Sequence, residues 1–103
     1  MSAFPVIQTA IPHRRYSLGD YLVTWLTDID SGDGHDYRHI MAFLREGDAK
    51  PSLYVCAVRL PPGERQGGGY ALRVITRAMS EVMDTADRWG DGESFAAEAL
   101  QLG

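Results

Sequence analysis

Aspartate, histidine and glycine gather at a few places in this chain, and each gathering suggests a chemistry that can be checked against its spacing. Asp28-Ile29-Asp30-Ser31-Gly32-Asp33-Gly34 has the oxygen density of a calcium loop. A helix-loop-helix calcium site takes acidic or amide side chains at its first, third and fifth positions, Gly at the sixth and Glu at the twelfth. Counted from Asp28, the last three of those places hold Gly32, Asp33 and His39. A hairpin loop that uses Asp and Gly for positive φ accounts for the same residues.

His35 and His39 flank Asp36 at a spacing that would suit zinc on a helix. On a strand the two rings lie about 13 Å apart, too far for one ion. The strand reading is preferred here, so no metal site is expected. His35 is then a solvated loop residue, and His39 lies near the end of a sheet face.

Gly63-Glu64-Arg65-Gln66-Gly67-Gly68-Gly69 stands where phosphate loops stand, but Tyr70-Ala71 follows it in place of Lys and Ser or Thr. It reads as a surface loop, with Arg65 able to meet an anion. The cluster His13-Arg14-Arg15-Tyr16 is the basic one. His13, Arg14, Arg15 and Arg65 are therefore the candidate edge for an anion or a partner's carboxylates. Adjacent arginines on a strand point opposite ways, which weakens any single phosphate site.

Cys56 has no neighbour to lower its pKa and reads as a small buried hydrophobe. Ser31, Ser52 and Ser94 lack an adjacent base. Glu81, Asp84 and Asp87 recur at helical spacing and read as a solvated face. No catalytic set, metal site or cofactor motif emerges.

Composition narrows the partner classes. The 103 residues carry a net charge of −4, and Lys50 is the single lysine among ten basic side chains. Nucleic-acid binding needs clustered cations and is not expected. No apolar run is long enough for a membrane span, and neither a signal peptide nor a disulfide pair is indicated. A soluble cytoplasmic protein of one domain, residues 1–103, is the expectation.

The elements that would position these residues follow from periodicity. Phe4 to Ile11 is an apolar run bounded by Pro5 and Pro12, so any strand there is at an edge. Gly19-Asp20 fits a two-residue hairpin turn. Tyr21–Ile29, Tyr37–Arg45 and Ser52–Leu60 are rich in β-branched, aromatic and aliphatic residues and read as strands. Ala71, Leu72, Ile75, Ala78, Met79, Val82, Met83 and Ala86 recur every three or four residues and predict a helix of about five turns. Asp91 or Ser94 could cap a short last helix whose contacts are Phe95, Ala99 and Leu100. The predicted fold is α+β: an antiparallel meander of about four strands, one long amphipathic helix packed on one sheet face, and a short C-terminal helix.

In the simplest register, odd positions share one face and even positions the other. Leu22, Leu26, Ile40, Ala42, Leu44, Tyr54, Cys56, Val58 and Leu60 make an aliphatic even face suited to the long helix. Tyr21, Val23, Trp25, Met41, Phe43, Val55 and Ala57 make an odd face with larger side chains, and it too is apolar. A face of that kind needs cover, and a second copy of the chain is the economical source. A homodimeric interaction or accessory domain is thus expected, binding through Tyr21, Val23, Trp25, His39, Met41 and Phe43, with room for a further protein partner. The rival is a small-molecule binding protein or small enzyme whose pocket uses the same face, with His39 as the proton-transfer group.

Overall fold

The computed structural model describes residues 7–32, 36–61, 63, 68–76 and 78–102. Six antiparallel strands follow one another in chain order: β1 (Ile7–Leu18), β2 (Tyr21–Ser31), β3 (Tyr37–Arg45), β4 (Leu53–Arg59), β5 (Tyr70–Thr76) and β6 (Ser80–Thr85). A 3-10 turn (Asp87–Gly90) and one helix, α1 (Gly92–Leu102), complete the described chain.

The central strands pair as their alternation requires. Val23 faces Phe43, Trp25 faces Met41, and Met41 faces Val55, so odd positions line one side of the sheet. Gly19 takes φ 58° in the β1–β2 turn, where a Cβ would be strained. Pro12 sits in β1, an edge strand, beside a register shift, a setting that tolerates a residue without an N–H.

The expected long helix is absent, and two strands occupy its place. Thr76 N–H bonds to the Met79 carbonyl at 2.8 Å, and Thr76 Oγ1 accepts from the Met79 amide at 3.2 Å, closing a hairpin without proline or glycine. Pairing from Leu53↔Thr76 to Arg59↔Tyr70 gives β4 a neighbour along its whole length. In β5, Ala71, Leu72 and Ile75 are buried from both faces, so no apolar–polar alternation marks it. A hairpin that satisfies an otherwise open ladder overrides helical spacing of the same residues.

The covering of the sheet changes accordingly. The odd face is covered by the chain itself: Trp89, Phe95, Ala96 and Ala99 pack onto Val23, Trp25, Met41, Phe43, Val55, Ala57 and Leu72. Burying a side chain such as Phe95 contributes about 1.5–3 kcal/mol. Of Asp91 and Ser94, the two caps the sequence left open, Asp91 takes the role, its Oδ2 accepting from the Ser94 amide at 3.2 Å.

The other face holds a second cluster of Tyr37, Ile40, Cys56, Val58 and Ile75. The β2–β3 ladder ends at Leu26↔Ile40, and the rest of β2 runs with β1 alone. That two-stranded arm carries Ile7 and Ile29 against the cluster, where Leu26 and Tyr54 also pack. Among the described residues, no helix is long and apolar enough to cross a membrane.

Candidate functional site

Of the six residues expected to bind through the odd face, five meet in its interior. Val23, Met41 and Phe43 have no exposure, and Trp25 and His39 retain 6% and 5%. Trp25 and His39 lie on β2 and β3, and the helix docks on them through a glycine. A Cβ at Gly92 would lie 2.7 Å from Trp25 Cζ2, so only glycine lets the start of α1 come this close.

His39 is fully engaged. The indole Nε1–H of Trp25 donates to His39 Nδ1 at 3.2 Å, and His39 Nε2 lies 3.3 Å from the Gly90 carbonyl. An indole N–H can only donate, so Nδ1 is the acceptor and Nε2 carries the proton that Gly90 receives. Phe95 stacks on the imidazole with ring centroids 5.2 Å apart. Burial holds the His39 pKa below the ordinary histidine value; the Gly90 bond opposes that shift, while the Arg38 and His13 charges add to it.

Such a ring ties β3 to the 3-10 turn and has no nitrogen left to offer a substrate. The face on which the sequence placed a pocket, lined by Tyr21, Trp25, His39, Met41 and Phe43, is packed by Trp89 of the 3-10 turn and by Phe95, Ala96 and Ala99 of α1. The chain itself supplies the apolar cover that the sequence assigns to a second copy.

Tyr21 is only partly buried at the margin of this cluster, edge-on to Phe43 with ring centroids 6.4 Å apart. It lines an open hollow of about 320 Å³ with Ser17, Asp20, Arg45 and Glu46, between the β1–β2 and β3–β4 turns. Of the basic residues, His13 sits at a register shift in β1, and its ring meets Trp25 edge-on at 4.4 Å. Arg14 pairs with Trp25 and Arg15 with Thr24, so consecutive arginines go to opposite faces. His35 and Arg65 lie outside the described residues. Among the described residues, no cluster of His, Cys, Asp and Glu could hold a metal ion.

Sequence spacing missed one exposed apolar surface, because it placed Met79, Val82 and Met83 on a helix stripe. All three are in or beside edge strand β6, with exposures of 40%, 45% and 50%. The β-branched residues of Val74-Ile75-Thr76 were the available signal for a strand here.

The sheet's two edges differ. β1 has Pro12, three register shifts and the Arg14-Arg15 pair, all devices that discourage strand addition. β6 has one register shift, at Met83, and two acidic side chains, Glu81 and Asp84. Asp84 is turned back to the 3-10 turn, accepting from Trp89 Nε1 at 3.1 Å and pairing with Arg88 at 3.3 Å.

No protein-family model matches the chain, and neither does a curated protein or a solved structure.

Proposed function

We propose that this chain is a protein-interaction module that accepts an extended partner segment along β6. The observation that carries this reading is the outer edge of β6, unpaired by any strand among the described residues and flanked by exposed Met79, Val82 and Met83. A segment pairing with Ser80–Val82, on the near side of the Met83 shift, would satisfy outward backbone groups and bury the two methionines. Methionine suits such a surface because its unbranched side chain adapts to different partners.

Charge selects the partner. Ser80–Thr85 contains two acids and no base, and the whole chain carries −4. A segment alternating basic and apolar residues complements both features. A second copy of the chain is the poorer supplier, because the arginines of β1 are adjacent rather than alternating and its edge carries Pro12 and three register shifts. The homodimer expected from the sequence through the odd sheet face is kept as an outcome of the test.

The test is sedimentation at two well-separated concentrations, on the native chain and on Val82→Asp. It is paired with amide exchange at residues 80–82 in the presence of an alternating Arg/Val heptapeptide. Protection of those amides by the peptide, lost in Val82→Asp, supports a basic partner; a dimer mass lost in the same variant identifies that partner as a second copy. Unchanged exchange together with a mass indifferent to Val82→Asp would remove the edge as a docking site.

A further inference from the structure

The point where β2 leaves β3 opens a second, unrelated site. The ladder between them stops at Leu26↔Ile40, and two residues later Asp28 takes φ 50°, the one non-glycine residue with positive φ among those described. Aspartate tolerates this conformation better than most residues, but a backbone held there costs free energy and recurs at functional sites. Between Thr9↔Asp30 and Ile11↔Thr27 the β1–β2 register also shifts, so the bend is a bulge. Bulges of this kind re-aim side chains beside binding sites.

The bend leaves a cleft of about 220 Å³ between the arm and the ends of β3, β4 and β5, lined by Asp28, Asp36, Arg38, Arg59 and Tyr70 with Tyr37 behind. Arg59 is anchored to the cleft through its backbone, its N–H bonding the Asp36 carbonyl at 2.7 Å. Two guanidinium groups and two carboxylates thus share one small hollow. Yet among the described residues none of these four side chains forms an ion pair or side-chain hydrogen bond with another; the ion pair there is Arg88–Asp84, elsewhere. Opposite charges that line one cleft without neutralising each other leave donors and acceptors for a third party.

We infer that this cleft binds a small zwitterion carrying both a carboxylate and an ammonium group, of the size of a free amino acid. Arg38 and Arg59 present the fork geometry that carboxylates accept, and Asp28 and Asp36 accept from the ammonium. The Tyr70 hydroxyl can serve either end. A simple anion would leave both aspartates uncompensated beside it, and a simple cation would do the same to the arginines. The volume lies below the usual range for drug-sized ligands, about 300–1,000 Å³, which limits the occupant to a small molecule.

The experiment is a two-dimensional NMR titration of the full chain with L-alanine. Acetate and methylammonium serve as the two half-ligands, and inorganic phosphate as the competing anion. Expected are saturable shifts at the amides of Tyr37, Arg38, Arg59 and Tyr70, with either half-ligand at least about tenfold weaker. Asp28→Asn keeps a residue that tolerates positive φ while removing the charge, and Arg59→Gln keeps the length of an exposed side chain. Each should weaken L-alanine by about tenfold or more while leaving the unfolding midpoint unchanged. The inference is overturned if L-alanine gives no saturable shift up to roughly 50 mM, far above useful small-ligand affinities. It is equally overturned if phosphate binds as tightly and Asp28→Asn makes no difference, which would leave an anion site only.

Discussion

The indole N–H of Trp25 donates to Nδ1 of His39 at 3.2 Å, and this bond sets which imidazole nitrogen carries the proton. Through Nε2 and the Gly90 carbonyl, the same ring reaches across 51 positions of sequence to the turn that launches α1. Replacing His39 with Leu therefore leaves a buried indole N–H and a backbone carbonyl without partners. The expected loss is about 1–3 kcal/mol at neutral pH, read by urea unfolding. His39→Gln, which keeps a polar end, should lose less.

The pH dependence follows from the direction of the His39 shift. Its folded-state pKa is lowered from 6.5, chiefly by burial, so the unfolded chain takes up the proton first. The stabilising contribution is complete above pH 6.5 and is lost as the pH falls from there through the depressed folded value. Unfolding midpoints of the native chain should drop across that window. The His39→Leu variant should show a flatter slope there, and an identical slope would mean that another group titrates.

What was legible in the sequence, and what was not, divides along physical lines. Gly19 to Arg59 carried its own local instructions: a Gly19-Asp20 turn, β-rich runs, and alternation that put Trp25, Met41 and Val55 on one side. Asp91 was readable as a cap because capping is settled within three residues. Residues 70–85 were not readable, since strands buried on both sides lose their alternation and these apolar positions satisfy a 3.6-residue period equally well. Their turn uses Thr76 Oγ1 where proline or glycine would have announced it. The candidate site shared that fate. Alternation puts Trp25, Met41 and Phe43 on one sheet face, but the cover of that face comes from Phe95 and Trp89, residues too distant in sequence for spacing to connect.

Asp91→Ala should cost about 1 kcal/mol, because α1 loses the acceptor for its Ser94 amide and hydroxyl. Asp91→Asn should recover most of that loss, as asparagine caps nearly as well. Equal destabilisation by both would show that the charge matters more than the capping bond. Urea midpoints of the two variants separate these outcomes.

Gly68→Ala should be among the more damaging single changes outside the core. Gly68 sits at φ 144°, and a Cβ there would collide with the backbone of Ala86 and Asp87. Backbone cannot move aside as a flexible side chain can. The collision would push β5 away from the segment that joins β6 to the 3-10 turn, where the Ala86 amide bonds the Tyr70 carbonyl at 2.9 Å. Overpacking of this kind costs about 1–3 kcal/mol before the φ penalty is added. Thermal unfolding of Gly68→Ala within a degree or two of the native chain would contradict the close approach.

Phe95→Ala tests whether α1 alone keeps the odd face from solvent. Phe95 has no exposure and contacts Trp25 and His39, so truncation should cost about 3–5 kcal/mol. Ending the chain after Gly90 goes further, since it removes Phe95, Ala96 and Ala99 together and uncovers Val23, Trp25, Met41 and Phe43 at once. A contiguous apolar surface of that extent is rare on a soluble monomer. The shortened chain should therefore self-associate at concentrations where the full chain keeps its mass, as read by sedimentation. The Val82→Asp substitution should leave that association in place, because the newly exposed face and the β6 edge are different surfaces. A shortened chain that retained the full chain's mass and native tryptophan fluorescence would mean that the sheet needs no helix to cover this face.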